Sequence, residues 1–583
     1  MRALLTAMLG LTLSSVATAQ EVKDLPKAPA FEPGQKWVYV MTNFAKPERR
    51  DVTIELMRRA KKLGYNGMMV ADTKFDKWSI APAGTNENIR MFRKACTEEG
   101  MKFIASVAPF GYCDTFLSND PNLAEGMPVR DAEFVVKDGK LVPFDETTKL
   151  ANPGFEEWKG DAPVGWQVDE PGRISFHDDA AKHAGAGSLR QQEVGSGATP
   201  GRGRLYQKIA GKPWHYYHVS IWAKTEGCTN KDNRIFGYDG QMPLNWQAPD
   251  LKKTADWTQF HVSFCSLNNT ELSLYVGTWA GKEGKVWYDD IAIEPGGFVN
   301  VVRRDGCPLK VTSPDGKTVY EEGKDFAKVA DPKLYHDPNP GYFTIWHDAP
   351  VVTIPDGSRL KEGDHVLASY HFATNCGKSN NVNICMSEPK TYELIEQQVR
   401  WMKETGAPDA YLLSHDEMRL NGWDDPCVKT GKTNGQILAD NIRRCIEIVK
   451  RVDPGKPIMV WNDMFDPFHN ARKETDDGKP FTMYMVKGGN WWGSWEGLSS
   501  DVVVCNWMYN SEKSLGFFAD RGNQQILAGY YDGDPARIVP WMEKAGKVKG
   551  FVGVMYTTWR DDYSKLDAFM EQVKKYEAGA AKP

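Results

Sequence analysis

Basic charge is scarce in this sequence. Against 72 Lys and Arg stand 77 Asp and Glu, giving a net charge of −5 over 583 residues. There is no long basic run, so nothing electrostatic favours binding to nucleic acid or to an anionic membrane. Long apolar runs are missing too. Past the first residues no segment reaches the roughly 18 apolar residues of a membrane-crossing helix, so no membrane span is expected. Cysteines stand at 96, 113, 228, 265, 307, 376, 385, 427, 445 and 505, but never as CxxC. No His/Cys spacing suggests structural zinc, and nothing calls for a cofactor. Cys376 and Cys385 form a candidate local pair, whereas Cys445 and Cys505 read as small core hydrophobes. Helix is the last absence: between about 145 and 298 no convincing long helical period occurs.

What is present is an ordinary globular composition, 41% hydrophobic and 26% charged, on a chain long enough for several folding units. Aromatics are abundant, with 20 Trp, 22 Tyr and 25 Phe. Most must be core, although flat apolar ring faces also suit sugar stacking. The first 19 residues read as a signal peptide: Arg2, an apolar stretch from Ala3 to Val16, then the small-x-small site Ala17-Thr18-Ala19. The expected location is a bacterial periplasm or the medium.

Strand and helix alternate from the start. KWVYVMTN (36–43), YNGMMVAD (65–72) and KFIASVAPFG (102–111) read as buried strands, with helices at 48–64 and 86–100 between them. The pattern resumes with a helix at 389–406. Strands follow at 409–415, 457–463, 501–509, 524–532 and 550–559, with helices at 434–452 and 563–576. Three strands plus five make the eight of a (β/α)8 barrel. Between them, YYHVSIWAKT, TQFHVSFCS, ELSLYVGTW and KVWYDDIAIE alternate as short strands of a β-sandwich. The expected fold class is therefore α/β: a TIM barrel interrupted after its third strand by an inserted β-sandwich and a second small β-rich segment. The bounds are 20–144 for the first part of the barrel, 145–298 for the sandwich, 299–388 for the small insertion and 389–583 for the rest of the barrel. DHVLASYHFA (364–373) would also pass for a barrel strand, but its Asp-Gly hairpin lead-in assigns it to the insertion. The opening LANPGFEEWKGDAPVGWQ and closing VWYDDIAIE of the sandwich resemble carbohydrate-binding modules of the family 4/9 type.

Barrel enzymes place their chemistry at the C-terminal ends of the strands. Here the fourth strand ends in His415, Asp416 and Glu417, and the fifth in Trp461, Asn462 and Asp463. The sixth carries Trp507, the seventh Tyr530-Tyr531-Asp532, and the eighth Trp559-Arg560-Asp561. Carboxylates among indole and phenol rings suit glycoside cleavage, in which a proton reaches the leaving oxygen and a cationic transition state is stabilised. In this order the motifs resemble glycoside hydrolase family 20, the β-N-acetylhexosaminidases, over roughly 36–112 and 389–576. The family's His-x-Gly-Gly-Asp-Glu reads Leu412-Leu413-Ser414-His415-Asp416-Glu417, and its first-strand arginine and third-strand Pro-Gly-His have no clear counterpart.

The resemblance implies an exo-acting enzyme on 2-acetamido glycosides, with a glycan or glycoconjugate substrate and a retaining, substrate-assisted mechanism. Glu417 would be the general acid, Asp416 would stabilise the acetamido group, and Tyr530 would hold its oxygen. Trp461, Trp507 and Trp559 would wall the ring pocket, with Asp532 and Asp561 on outer hydroxyls; apart from the resemblance, His415, as a hydrogen-bonding support, and Asp463, on the pocket rim, are further candidate substrate-binding residues. In GGNWWGSWEG (488–497), Trp492 and Trp495 suit a sugar-stacking loop, or else a packed one. Asp463, Asp466 and His469 form an acceptable metal-ligand set that equally suits a pocket rim. Two alternatives remain: a retaining glycosidase with a protein carboxylate nucleophile such as Asp463, and a non-catalytic carbohydrate-binding protein. One condition is geometric. Neighbouring strand residues face opposite ways, so Asp416 and Glu417 share a site only if the strand has ended by Asp416.

Overall fold

The computed structural model describes residues 25–192, 203–229, 233–278, 283–377, 381–483 and 485–580; the signal-peptide reading lies outside them. Eight parallel strands close into a barrel: Gln35–Met41, Gly67–Ala71, Lys102–Phe110, Ala410–His415, Ile458–Trp461, Val502–Asn506, Gln525–Tyr530 and Phe551–Thr557. These are the eight strands expected, in the same order. The first pairs with the eighth, Trp37 opposite Met555, which closes the ring.

Alternation sorts each strand's side chains. Trp37, Tyr39, Met69, Ile104, Leu412, Met459, Trp461, Cys505 and Met555 fill the interior. Their neighbours Val38, Val40, Met68, Phe103, Tyr411, Leu413 and Val460 face the helices. Helices cover the outside where apolar residues recur every three or four positions. Asn434–Val452 buries Ile437, Leu438, Asn441, Ile442, Cys445, Ile446 and Val449. It starts on a capping box, the Thr433 hydroxyl accepting from the Gln436 amide while the Gln436 side chain accepts from Thr433, a device worth about 1 kcal/mol. Pro47–Leu63 stops at Gly64, whose φ of +104° closes the last turn.

His365–Phe372 is not a barrel strand. It pairs antiparallel with Met127–Lys137, in a six-stranded sheet that also holds Lys140–Pro143. This corrects one boundary, because residues 127–143 belong with the small β-rich segment and not with the first part of the barrel. The sign was an Asp138-Gly139 hairpin turn, both residues at positive φ, between two short alternating runs. Two further antiparallel sheets, of five and four strands between Gln167 and Pro295, enclose one cluster built on Leu189, Leu205, Ile221, Val262, Leu274 and Tyr288. They abut the six-stranded sheet through Tyr216, which stacks on Phe372 at 3.8 Å. All ten cysteines are free and buried. Cys376 and Cys385 are not joined; the sulfur beside Cys385 is that of Cys427, at 3.7 Å.

Candidate active site

A cavity of ≈ 680 Å³ opens at the C-terminal end of the barrel. The fourth strand positions its centre. Ala410 and Leu412 point inward, so Ser414 and Asp416 follow on the same side, and both line the cavity. His415 takes the other side. It is buried, its Nε2 lies 2.8 Å from Asn441 Oδ1 on the covering helix, and its ring lies over Phe110 at 4.5 Å. Burial lowers its pKa to about 4, so the imidazole is neutral. It braces the strand end from behind and does not meet the cavity.

Glu417 would face away on a continuing strand. The strand ends at His415, however, and Glu417 adopts a φ of +48° that turns its side chain into the same cavity. A left-handed non-glycine residue is strained and persists where its surroundings hold it. Here the Glu417 amide donates to Asp463 Oδ2 at 2.9 Å. The Glu417 carboxylate accepts from Arg419 at 2.9 Å and from the Tyr112 hydroxyl. Asp416 accepts from Ser414 at 2.9 Å. Burial first, and then the nearby Asp463, drive its pKa well above the usual carboxylate range. The two adjacent carboxyls thus occupy unlike settings.

Asp463 is fully buried and does not line the cavity. Its Oδ2 also accepts from Asn470 at 2.9 Å, and its Oδ1 from the Trp507 indole at 3.3 Å. It therefore pins both the Glu417 turn and a wall ring, and burial raises its pKa to about 6. Trp461, Trp507 and Trp559 line the cavity. Trp461 and Trp559 meet at 6.1 Å, with Tyr39 against both.

The seventh strand departs from expectation. Ile526 and Ala528 point inward, which would carry Tyr530 in as well. Instead Tyr530, Tyr531 and Asp532 all adopt positive φ, at 65°, 53° and 56°. That left-handed turn sends Tyr530 outward, where it stacks on Tyr556 at 4.4 Å and donates to Asp562 at 3.0 Å. Tyr531 takes its place in the cavity wall, stacked with Trp507 at 5.7 Å. Asp532 accepts from the Trp559 amide at 2.9 Å and from the Thr558 hydroxyl, so it fixes the tryptophan loop. Asp561 is exposed and paired with Arg49 at 2.8 Å, away from the cavity.

The GGNWWGSWEG segment is mostly packed. Trp491 is buried and donates to the Met418 carbonyl at 3.1 Å, just past Glu417. Trp495 is buried against Phe517, and Trp492 is 46% exposed on a separate depression. Neither Trp492 nor Trp495 reaches the cavity. Among the described residues, Asp463, Asp466 and His469 do not converge as a metal-ligand group.

The opposite wall carries residues that sequence reasoning passed over: Asp72, Asp76, Asp114 and Tyr112. They follow the second and third strands, where a polar residue at a barrel strand's C-terminal end is the available signal. Burial raises Asp114 to about 7 and pushes Asp76 well above the usual range, with Asp114 adding to the latter. Among the described residues, five carboxyl groups line the cavity, and no Lys, Arg or His does.

No family model matches the chain, and no curated protein is similar to it. Among solved structures, a carbohydrate-binding module of family 61, in complex with β-1,4-galactotriose, is similar at 16% identity and TM-score 0.20, covering 25% of this chain and 98% of its own. A xylan-binding domain from Paenibacillus barcinonensis is similar at 16% identity and TM-score 0.19, covering 24% and 90%. A rhamnosidase from Novosphingobium sp. PP1Y is similar at 10% identity and TM-score 0.31, covering 96% of this chain and 59% of its own. At these identities and TM-scores the likenesses carry no functional inference.

Proposed function

We propose that this protein is an exported glycoside hydrolase acting on neutral sugars, with 2-acetamido glycosides as its first candidate substrates. One observation carries the reading: Asp416 and Glu417 enter a single cavity walled by Trp461, Trp507, Trp559 and Tyr531. Indole faces bind the apolar faces of a sugar ring, and the carboxyls supply a proton and a stabilising charge. A wall with five carboxyls, whose neighbouring cations Arg419 and Lys74 are engaged by Glu417 and Asp72, disfavours sulfated, phosphorylated or uronic substrates, and hydroxyl groups are the donors that suit it.

In the substrate-assisted route the acid gives its proton to the glycosidic oxygen, and the bond from that oxygen to the anomeric carbon breaks. The substrate's acetamido carbonyl oxygen bonds to that carbon, forming a cyclic cation that the second carboxylate stabilises. Water then opens the ring and returns a proton to the acid. The family resemblance assigns the acid to Glu417 and the stabiliser to Asp416, with Tyr531 now in the place given to Tyr530. A second division is favoured by the raised pKa of Asp416, which would keep the transferable proton there, with Glu417, held by Arg419 and Tyr112, as its stabilising partner. A protein nucleophile at Asp463 fits poorly, because that side chain is buried and engaged on both oxygens.

Turnover of a panel of aryl glycosides, with and without the 2-acetamido group, tests the reading. Hydrolysis confined to 2-acetamido substrates and blocked by a thiazoline mimic of the cyclic intermediate is expected. Hydrolysis of plain glycosides only would replace the mechanism, and binding without turnover would make the protein a lectin-like module.

A further inference from the structure

A second chemical cluster lies outside the cavity, where the chain leaves and re-enters the barrel. The outgoing segment at Leu123 and Glu125 pairs with the returning segment at Asn383 and Cys385: the Cys385 amide donates to Leu123 at 2.8 Å and the Glu125 amide to Asn383 at 2.9 Å. Asp424 and Cys427, on the loop and short helix after the fourth strand, close over that crossing. Glu125, Cys385, Asp424 and Cys427 are all buried, and one ligand atom from each lies within 4.8 Å of the others.

The separations have a specific meaning. A tetrahedral ion with Zn–S bonds of about 2.3 Å and Zn–O bonds of about 2.0–2.2 Å sets S···S at roughly 3.8 Å and S···O at roughly 3.5 Å. The observed distances are 3.7 Å between the two sulfurs, 3.5 Å from Cys427 Sγ to Glu125 Oε2, and 3.4 Å from Cys385 Sγ to Asp424 Oδ1. A disulfide would need the sulfurs at about 2.04 Å. The remaining oxygens are already held in place: Glu125 Oε1 accepts from the Trp423 amide at 2.7 Å, and Asp424 Oδ2 pairs with Arg304. Such support orients ligating carboxylates.

Ligand chemistry points the same way. Two buried carboxylates face one guanidinium, and Arg304 is shared with Glu388 at 3.3 Å. Thiol hydrogens are weak donors and compensate little, and unmatched buried charge is costly. A divalent cation that displaces both thiol protons leaves the net charge of the cluster unchanged, but it replaces two weak donors with direct bonds to all four ligand atoms. Thiolate ligands favour zinc over magnesium or calcium. Sequence spacing could not reveal the set, because its members are spread from 125 to 427 with no local Cys or His repeat.

We propose that Glu125, Cys385, Asp424 and Cys427 bind one zinc ion, which fastens both ends of the insertion to the loop bearing Glu417 and Arg419. Its role is structural, since all four positions are protein ligands and the cluster is closed to solvent. The test uses the full-length protein. Elemental analysis after dialysis should find one zinc per chain, retained in Cys376→Ser and lost in Cys427→Ser. The chelator-stripped wild type, titrated with cobalt(II), should develop a thiolate-to-cobalt charge-transfer band that saturates at one equivalent. Stripping should lower the thermal midpoint, and zinc should restore it. Equal zinc retention by Cys427→Ser would overturn the assignment. So would a Cys385–Cys427 disulfide in the peptide map, or a stripped protein that gives no cobalt–thiolate band. If Cys427→Ser does not fold, the wild-type cobalt titration and peptide map still decide.

Discussion

Asp114 sits in the cavity wall with a pKa raised by burial to about 7, facing Asp76, Asp72 and Lys77. A carboxyl whose folded pKa lies above its unfolded value favours the folded state while protonated. Its contribution is complete below about pH 4 and is lost as pH rises through 7. Asp114→Asn should therefore flatten the fall in thermal midpoint between pH 4 and 7, an effect of the order of a few kcal/mol. A pH profile identical to wild type would remove the group from the account. The two tyrosines of the seventh strand should separate just as cleanly. Tyr531→Phe loses a donor facing the substrate and should slow turnover roughly 10- to 100-fold. Tyr530→Phe loses its bond to Asp562, away from the cavity, and should cost about 1 kcal/mol of stability, with kcat unchanged. The reverse ranking in steady-state kinetics would place Tyr530, and not Tyr531, on the substrate.

At the scale of elements, the eight strands were legible because buried parallel strands read as unbroken apolar runs, within which a shift of one residue would flip which side chains face the barrel. Alternation along 410–416 then explains why Asp416 enters the cavity and His415 does not. What could not be read were the places where the backbone leaves strand geometry. Glu417 and the turn 530–532 take positive φ with no glycine to announce it, so the side chains of Tyr530 and Tyr531 exchange the positions that periodicity assigns them. Trp492 and Trp495 suit a stacking loop or a packed one from their glycines, and the segment mostly packs behind Glu417, since composition alone does not give direction. Gly111 marks how tightly this end is built. At a φ of +96°, a Cβ there would lie 2.0 Å from the Asp416 carbonyl oxygen. Gly111→Ala should push the Asp416–Glu417 turn aside and lower kcat by about 100-fold, with a smaller effect on KM. Wild-type kcat would show that the turn can move without consequence.

For the molecule as a whole, the four-stranded sheet outside the barrel carries a cross-strand row of aromatics. Tyr206 pairs with Tyr275 and Tyr275 with Phe236 in register, with centroids 4.7 and 5.4 Å apart. Phe236 is buried, whereas Tyr206 and Tyr275 are half-buried, so these two tyrosines are the candidates for holding a glycan under the proposed function. Tyr206→Ala with Tyr275→Ala should weaken retention on insoluble polysaccharide while leaving small aryl glycosides untouched. Equal loss on both would make the row structural.

The central claim is that Asp416 and Glu417 divide proton transfer and charge stabilisation between them. The direct measurement is kcat/KM for wild type, Glu417→Gln and Asp416→Asn on aryl 2-acetamido glycosides of graded leaving-group acidity. One variant should lose about 10²–10⁴-fold on poor leaving groups and recover on activated ones, which identifies the acid. The other should lose activity evenly across the series. Full activity of both variants on every substrate would contradict the account.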